Sequence, residues 1–243
     1  MASSRWLGIE PAGRPQLYLV DGLAEMRSRA GPRVPEWAIA VTRRDDLLVF
    51  RADLLDTSPV NGAGLVAAHE AVHQVLNHLG GPPLRRLPRW FEEGLCVIHA
   101  GVAHLQPDHS LQRTAAAGNL PTFAETESIF GETRGRAAIG YALAREAVMT
   151  ISVTYGDEAI RGILRRFREG ENFATAFFHA TGDRLEDFEA RWRDEITPPI
   201  PLLLYVVLEN IELALLCFGA LLVAGGYLRW RLRRERSLSA LGG

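Results

Sequence analysis

The sequence predicts an α+β fold: a small N-terminal sheet packed on a helix that carries paired histidines, a mostly helical C-terminal half, and one apolar helix after it. Three observations predict this. Short β-like runs, Gln16–Val20, Trp37–Val41 and Leu47–Arg51, are confined to the first 60 residues and separated by Pro, Gly and charged clusters. In several segments between residues 64 and 100 and between 137 and 195 the patterns are helical instead, with apolar residues at three- and four-residue steps over 64–79. Residues 202–228 are then mostly apolar, and Arg229, Arg231, Arg233, Arg234 and Arg236 follow directly.

Taken in order, Leu65, Ala68, Val72, Val75, Leu76 and Leu79 mark a helix over 64–79, which Gly80, Gly81, Pro82 and Pro83 stop. Pro88 can open a second helix, from Arg89 to about Ala100. The polar, turn-rich region 101–133 reads as a long, partly irregular loop. Helical patterns follow at 137–155, 157–169, 173–180 and 185–195, the last two separated by Thr181-Gly182-Asp183, where Gly can close one helix and Asp cap the next. Thr197-Pro-Pro-Ile-Pro201 is a stiff hinge that ends the soluble part.

The expected organisation is a domain over 1–198, a transmembrane helix over 202–228 and a basic tail over 229–243. The uninterrupted apolar core, 213–228, is roughly 24 Å long as a helix, short of a ~30 Å hydrocarbon layer. The span therefore takes in Ile211 and earlier residues, and Glu209, Asn210 and Glu212 fall near one interface. Tyr227 and Trp230 suit the interfacial belt, and the arginines place the tail on the cytoplasmic side and the domain outside the cytoplasmic membrane, in a single pass. An outside domain needs an export signal, and residues 1–13 contain no apolar run of signal-core length. The alternatives are a signal upstream of Met1, a signal already removed, or a domain that faces the cytoplasm against the arginine bias, and the expectation is one of the first two.

Composition excludes several classes. The net charge of −2, with the basic cluster placed after the apolar block, argues against nucleic-acid binding. All 27 basic residues are arginine, which removes Schiff-base and lysine-nucleophile chemistry. Cys96 and Cys217 lie in different environments and cannot form a disulfide framework.

The chemistry is concentrated in His69-Glu-Ala-Val-His73 and in Trp90-Phe-Glu-Glu-Gly-Leu95. His69 and His73, four apart, project from one helix face with imidazoles close enough to share one ion, and Glu70 lies next to them, off the ligand axis. That is the arrangement of a zinc site whose glutamate takes a proton from metal-bound water. A catalytic zinc takes three protein ligands and keeps one position open. His78, about 500° around the helix from His73, points away. A Gly at Leu76 and a His at Leu79, which another zinc-peptidase pattern needs, are absent. Glu92 and Glu93 on the next helix can each present a carboxylate to the same ion.

These two segments resemble the gluzincin metallopeptidases, specifically the peptidase MA-like group of bacterial proteins, whose signature pairs HExxH with W-x-x-E-G-[LF]-A. The resemblance covers about 60–196 and implies a zinc-dependent, membrane-anchored peptidase acting on a peptide or protein. The glutamate before the glycine is the family's third zinc ligand, which transfers to Glu93, with Glu92 its rival. Cys96 departs from the usual alanine and adds a thiol beside the metal. Gly140-Tyr141-Ala142-Leu143-Ala144-Arg145 is similar to a later family helix whose tyrosine donates to the oxyanion, which transfers to Tyr141. The expected ligands are thus His69, His73 and Glu93, the expected catalytic residues Glu70 and Tyr141, and the expected partners a peptide and, through the C-terminal helix, a lipid bilayer. Region 155–192 resembles the family's C-terminal helical subdomain.

Outside the resemblance, His99, His104, His109 and His179 have no ligand-like spacing. Arg85, Arg86 and Arg89 form a basic cluster that reads either as a solvated turn or as recognition of an acidic group. Two other classes compete with a peptidase. One is an inactive metal-binding or scaffold module whose 101–133 loop covers the cleft. The other is a membrane protein that pairs helices through Glu209, Asn210 and Glu212.

Overall fold

The computed structural model describes residues 6–9, 15–43, 45–55, 62–77, 87–101 and 110–241. Strand β1 (Gln16–Val20) leads into helix α1 (Leu23–Ala30), and strands β2 (Ala40–Thr42) and β3 (Leu47–Arg51) follow. Among the described residues they form a three-stranded sheet in the order β1-β3-β2. β1 runs parallel to β3 with Gln16 opposite Leu47, and β2 runs antiparallel with Val41 opposite Val49. The predicted strand at Trp37 starts later, because Pro35 opens a turn closed by Ala38 N–H donating to the Pro35 carbonyl at 3.2 Å. A small core of Val20, Met26, Val34, Ala38 and Val49 joins α1 to the sheet.

The short α2 (Ala52–Leu55) precedes α3 (Ala63–Asn77), the predicted histidine helix, whose expected last turn falls outside the described residues. Helix α4 (Arg89–Ala100) begins after Pro88 as expected, Pro88 taking extended geometry at the N-cap. The region predicted as an irregular loop contains α5 (Ser110–Ala116) and the single turn α6 (Thr126–Ile129). Leu111 and Ala115, four apart, are buried, and it is this tertiary burial that holds a seven-residue helix too short to persist alone.

Helix α7 (Arg134–Tyr155) begins three residues before the predicted start, because the Thr133 hydroxyl caps it by accepting from Arg136 N–H. Then come α8 (Asp157–Glu169), α9 (Phe173–Thr181) and α10 (Leu185–Ile196). Gly182 closes α9 in the left-handed conformation at φ 81°. Asp183 does not cap α10 as the sequence suggested. Its carboxylate accepts from Tyr155 Oη at 2.5 Å and Arg191 Nη2 at 2.7 Å, which ties the end of α7 to α10.

The main core is helical, built on Trp90, Phe91, Phe123, Phe177, Phe188 and Trp192, and its centre is the crossing of α4 with α7. Gly94 sets that crossing. A Cβ built there would lie 2.3 Å from the Ala144 carbonyl oxygen and 2.6 Å from Val148 Cγ2, so the two helices touch backbone to side where only glycine fits.

The expected continuous helix over 202–228 is divided. Helix α11 (Leu202–Glu209) ends at Asn210, whose φ of −116° and ψ of 38° are not helical. Helix α12 (Ile211–Leu241) continues from the next residue. Residues 211–231 of α12 are long and apolar enough to cross a membrane and are not buried by the rest of the chain.

Candidate metal centre

Helix α3 presents His69 and His73 from successive turns toward α4. Their Nε2 atoms are 3.2 Å apart. Glu93 Oε2, from the first turns of α4, lies 3.3 Å from His69 Nε2 and 3.4 Å from His73 Nε2. Three donors of one set thus form a nearly equilateral triangle. A tetrahedral zinc with ligand bonds of about 2.0–2.2 Å separates its ligands by about 3.3–3.6 Å, within a tenth of an ångström of these edges. Glu93 is buried, and its Oε2 receives no hydrogen bond of acceptable geometry from either imidazole. A buried carboxylate oxygen without a donor is costly unless a cation completes it. The residues present therefore fit a zinc ion.

Glu92 points to the other side of the same ring. Its Oε1 lies 2.8 Å from His73 Nδ1. Adjacent residues on a helix diverge by about 100°, so Glu92 and Glu93 reach opposite nitrogens of one imidazole. Arg89, one turn before Glu93, places Nε 3.5 Å from Glu93 Oε1 and stacks its guanidinium 4.9 Å from the centre of the Phe130 ring. It engages the oxygen that does not face the histidines. Arg85 and Arg86 of the same predicted cluster lie outside the described residues, as do His78, His104 and His109.

Glu70 is also buried, and Thr42 on β2 donates its hydroxyl to Glu70 Oε2 at 2.6 Å. Nothing in the sequence pointed to Thr42, which is 28 positions away and joins the site only because β2 packs on α3. Tyr141 on α7 stands with its ring 6.2 Å from that of His69 and 5.0 Å from that of Phe130, at the edge of the same cluster. The predicted residues His69, Glu70, His73, Glu93 and Tyr141 are thus drawn from α3, α4 and α7 into one neighbourhood.

Opposite charge is favoured across the cluster, on the Glu93 carboxylate and on the His73 imidazole. Burial by itself would raise the Glu93 carboxyl, but facing His73 and His69 holds it well below the usual carboxylate range. Burial opposes charge on His73 as well, yet Cys96, Glu93 and Glu92 around it push it well above its ordinary value. Burial, then the Glu93 charge, pushes the Tyr141 hydroxyl well up, so it stays protonated and able to donate.

Cys96, one turn beyond Glu93, is fully buried, and its sulfur belongs to a set with His69 and His73 whose donor atoms lie within 4.8 Å of one another. Glu93 Oε2 lies 3.3 and 3.4 Å from the two Nε2 atoms, and burial pushes the Cys96 thiol up to about 12. A separate groove lined by Trp6, Ile98, His99 and Val153 holds none of the predicted site residues.

The model of the peptidase MA superfamily matches residues 34–198, well over half of the chain. The chain belongs to the peptidase MA superfamily. The match begins before β2 and ends at the hinge before α11, so the superfamily domain contains the part of the fold that carries Thr42, α3, α4 and α7. Members of the peptidase MA superfamily are usually metallopeptidases, in keeping with a donor set of two imidazoles and a carboxylate. No curated protein and no solved structure matches this chain.

Proposed function

We propose that the protein is a membrane-anchored zinc-dependent metallopeptidase that hydrolyses peptide bonds. The observation that carries the reading is the triangle of His69 Nε2, His73 Nε2 and Glu93 Oε2, with edges of 3.2, 3.3 and 3.4 Å and an oxygen that no hydrogen bond satisfies. His69, His73 and Glu93 would hold the ion. Zinc bound there supplies Lewis acidity and brings a coordinated water toward deprotonation near neutral pH.

The chain's own groups supply the rest. Glu70 accepts the proton of the attacking water, and Thr42 holds one of its oxygens so that the other is free for that task. Glu70 then carries the proton toward the leaving amine. Tyr141, kept protonated by its surroundings, donates its hydroxyl toward the oxyanion that develops on the peptide carbonyl. Glu92 keeps His73 turned so that Nε2 faces the ion.

We assign 1–198 to the peptidase domain, the apolar C-terminal helix to the cytoplasmic membrane in a single pass, the arginine-rich tail to the cytoplasm and the domain to the outer side. The apolar character and exposure of 211–231 support the anchor, and the arginines after it support the orientation. The test is metal analysis of purified wild type, Glu93→Ala and Glu70→Gln, with peptide cleavage by each. The proposal expects one zinc in wild type and in Glu70→Gln, none in Glu93→Ala, and cleavage by wild type alone. A wild type that holds no zinc after supplementation overturns it.

A second reading is favoured by Cys96. A sulfur beside two imidazoles and a carboxylate could close the fourth position, leaving a metal-binding module without an open site. Cys96→Ala separates the two. A closed module loses most of its zinc affinity with the thiol, whereas a catalytic site keeps it.

A further inference from the structure

Helix α11 is amphipathic in the wrong sense for water. It packs on α5 with Leu202, Tyr205 and Glu209 half-buried, and Glu209 Oε2 lies 3.9 Å from Arg113 Nη1. At about 100° per residue these three positions share an arc of about 60°, while Leu203, Leu204, Val206, Val207 and Leu208 sweep about 200° on the other side. All five are exposed, Leu203 by 78% and Leu208 by 52%. A helix at a protein–water boundary turns its charged residue out and its aliphatic residues in. Here the carboxylate faces the domain and the aliphatic residues face away.

The residue at the joint after α11 is tied into the chain on both sides. Asn210 donates its backbone N–H and its side-chain Nδ2 to the Val206 carbonyl, at 3.2 and 2.9 Å, and its own carbonyl accepts from Ala214 N–H at 2.9 Å. Both backbone groups of Asn210 are thereby paired within the chain, which lowers the cost of this break at the edge of hydrocarbon. The apolar surface continues into α12, whose residues 211–231 are long and apolar enough to cross a membrane. A second copy of the chain is a poorer occupant, since one helix about 12 Å long falls short of the ~800 Å² per partner typical of a stable interface.

We infer that α11 lies in the bilayer surface, its inner edge held by α5 and its outer face among the acyl chains beneath the headgroups, so that the domain is docked flush on the membrane. The inference rests on the membrane-anchored reading and adds that the anchor is a fixed mount. Substrates are then restricted to segments that reach the membrane surface.

The experiment uses the full chain with Cys217→Ser, Cys96 remaining buried, and single spin labels through Leu204→Cys, Tyr205→Cys, Val207→Cys, Leu216→Cys or Arg184→Cys. The protein is reconstituted in phosphatidylcholine vesicles containing a minority of phosphatidylglycerol, and collision with oxygen is compared with collision with a nickel chelate. Docking predicts an oxygen-to-nickel ratio at 204 and 207 several-fold above that at 184 and below that at 216, with the label at 205 immobile and shielded from both. A water-like ratio at 204 and 207 with a high ratio at 216 overturns docking while leaving the anchor intact. A water-like ratio at 216 as well overturns the anchor itself. Ratios at 204, 205 and 207 that all equal that at 216 make α11 part of the span and overturn docking. Dipolar broadening at 204 that unlabelled protein relieves assigns the face to a second copy, and also overturns it.

Discussion

Glu92 Oε1 and His73 Nδ1 stand 2.8 Å apart, on the side of the imidazole opposite the triangle formed with His69 and Glu93. Two consecutive glutamates therefore meet opposite nitrogens of one ring, and in the proposed site Glu93 holds the ion while Glu92 sets which nitrogen faces it. Carboxylates that orient a ligand imidazole in this way are typically worth 10–100-fold in metal affinity. Glu92→Ala is expected to weaken zinc binding by about that factor while Glu93→Ala abolishes it, measured by competition with a chromophoric chelator. Equal losses in both variants would remove the distinction drawn here.

Thr42 is expected to act on Glu70 without touching the metal. A hydrogen bond to a charged group contributes about 1.5–3 kcal/mol, so Thr42→Val should lower kcat on a peptide substrate by about ten-fold or more. Zinc content should stay at the wild-type level, and Thr42→Ser should restore most of the rate. A loss of zinc in Thr42→Val would instead mean that β2 holds α3 in place.

The contact of Gly94 with Ala144 predicts a stability defect with a functional echo. A methyl at Gly94 meets a carbonyl oxygen at 2.3 Å, which the backbone can relieve only by separating α4 from α7. Overpacking of this kind costs about 1–3 kcal/mol. Gly94→Ala should lower the urea midpoint accordingly and weaken zinc binding, since Glu93 is the neighbouring residue. Gly135→Ala, where nothing lies within 4 Å of the added carbon, is the matched control and should be close to neutral.

The Asp183 network predicts an acid-dependent contribution. The Tyr155 hydroxyl, against partial burial and with help from Arg191, holds the Asp183 carboxyl below its ordinary value. A group depressed in the folded state stabilises it above the unfolded value, about 3.9, and that contribution is lost as pH falls through the folded value. Wild type should therefore be more stable than Asp183→Asn near neutral pH, and the difference should shrink as pH drops below about 4. Urea denaturation of both proteins across that range measures it. A constant gap would assign the effect to packing.

Much of this was legible because it is local. The His69–His73 spacing, the start of α4 after Pro88 and the αL closure at Gly182 depend on residues within a turn or two of one another, and periodicity or backbone stereochemistry is enough to read them. The assignment of Glu93 came from resemblance, since periodicity left Glu92 and Glu93 equal. Three elements were misread for the same reason in reverse. Helix α5 owes its existence to the burial of Leu111 and Ala115, Asp183 left its expected capping position for Tyr155 and Arg191, and the stretch expected as one spanning helix breaks where Glu209 turns toward α5 and Arg113.

The sequence by itself determined the α+β class, the face shared by His69 and His73, the pair of acidic residues that follows Trp90, and an apolar C-terminal helix. Only the tertiary structure decided which carboxylate meets both imidazoles, that Thr42 holds Glu70, that Arg89 takes the second oxygen of Glu93, and that α11 belongs to the domain surface. The physical reason is one of range. Helix phase and turn chemistry are set by neighbours along the chain, whereas the approach of α4 to α3 and α7 is set by side chains such as the missing one at Gly94, far apart in sequence and meeting only when the core closes.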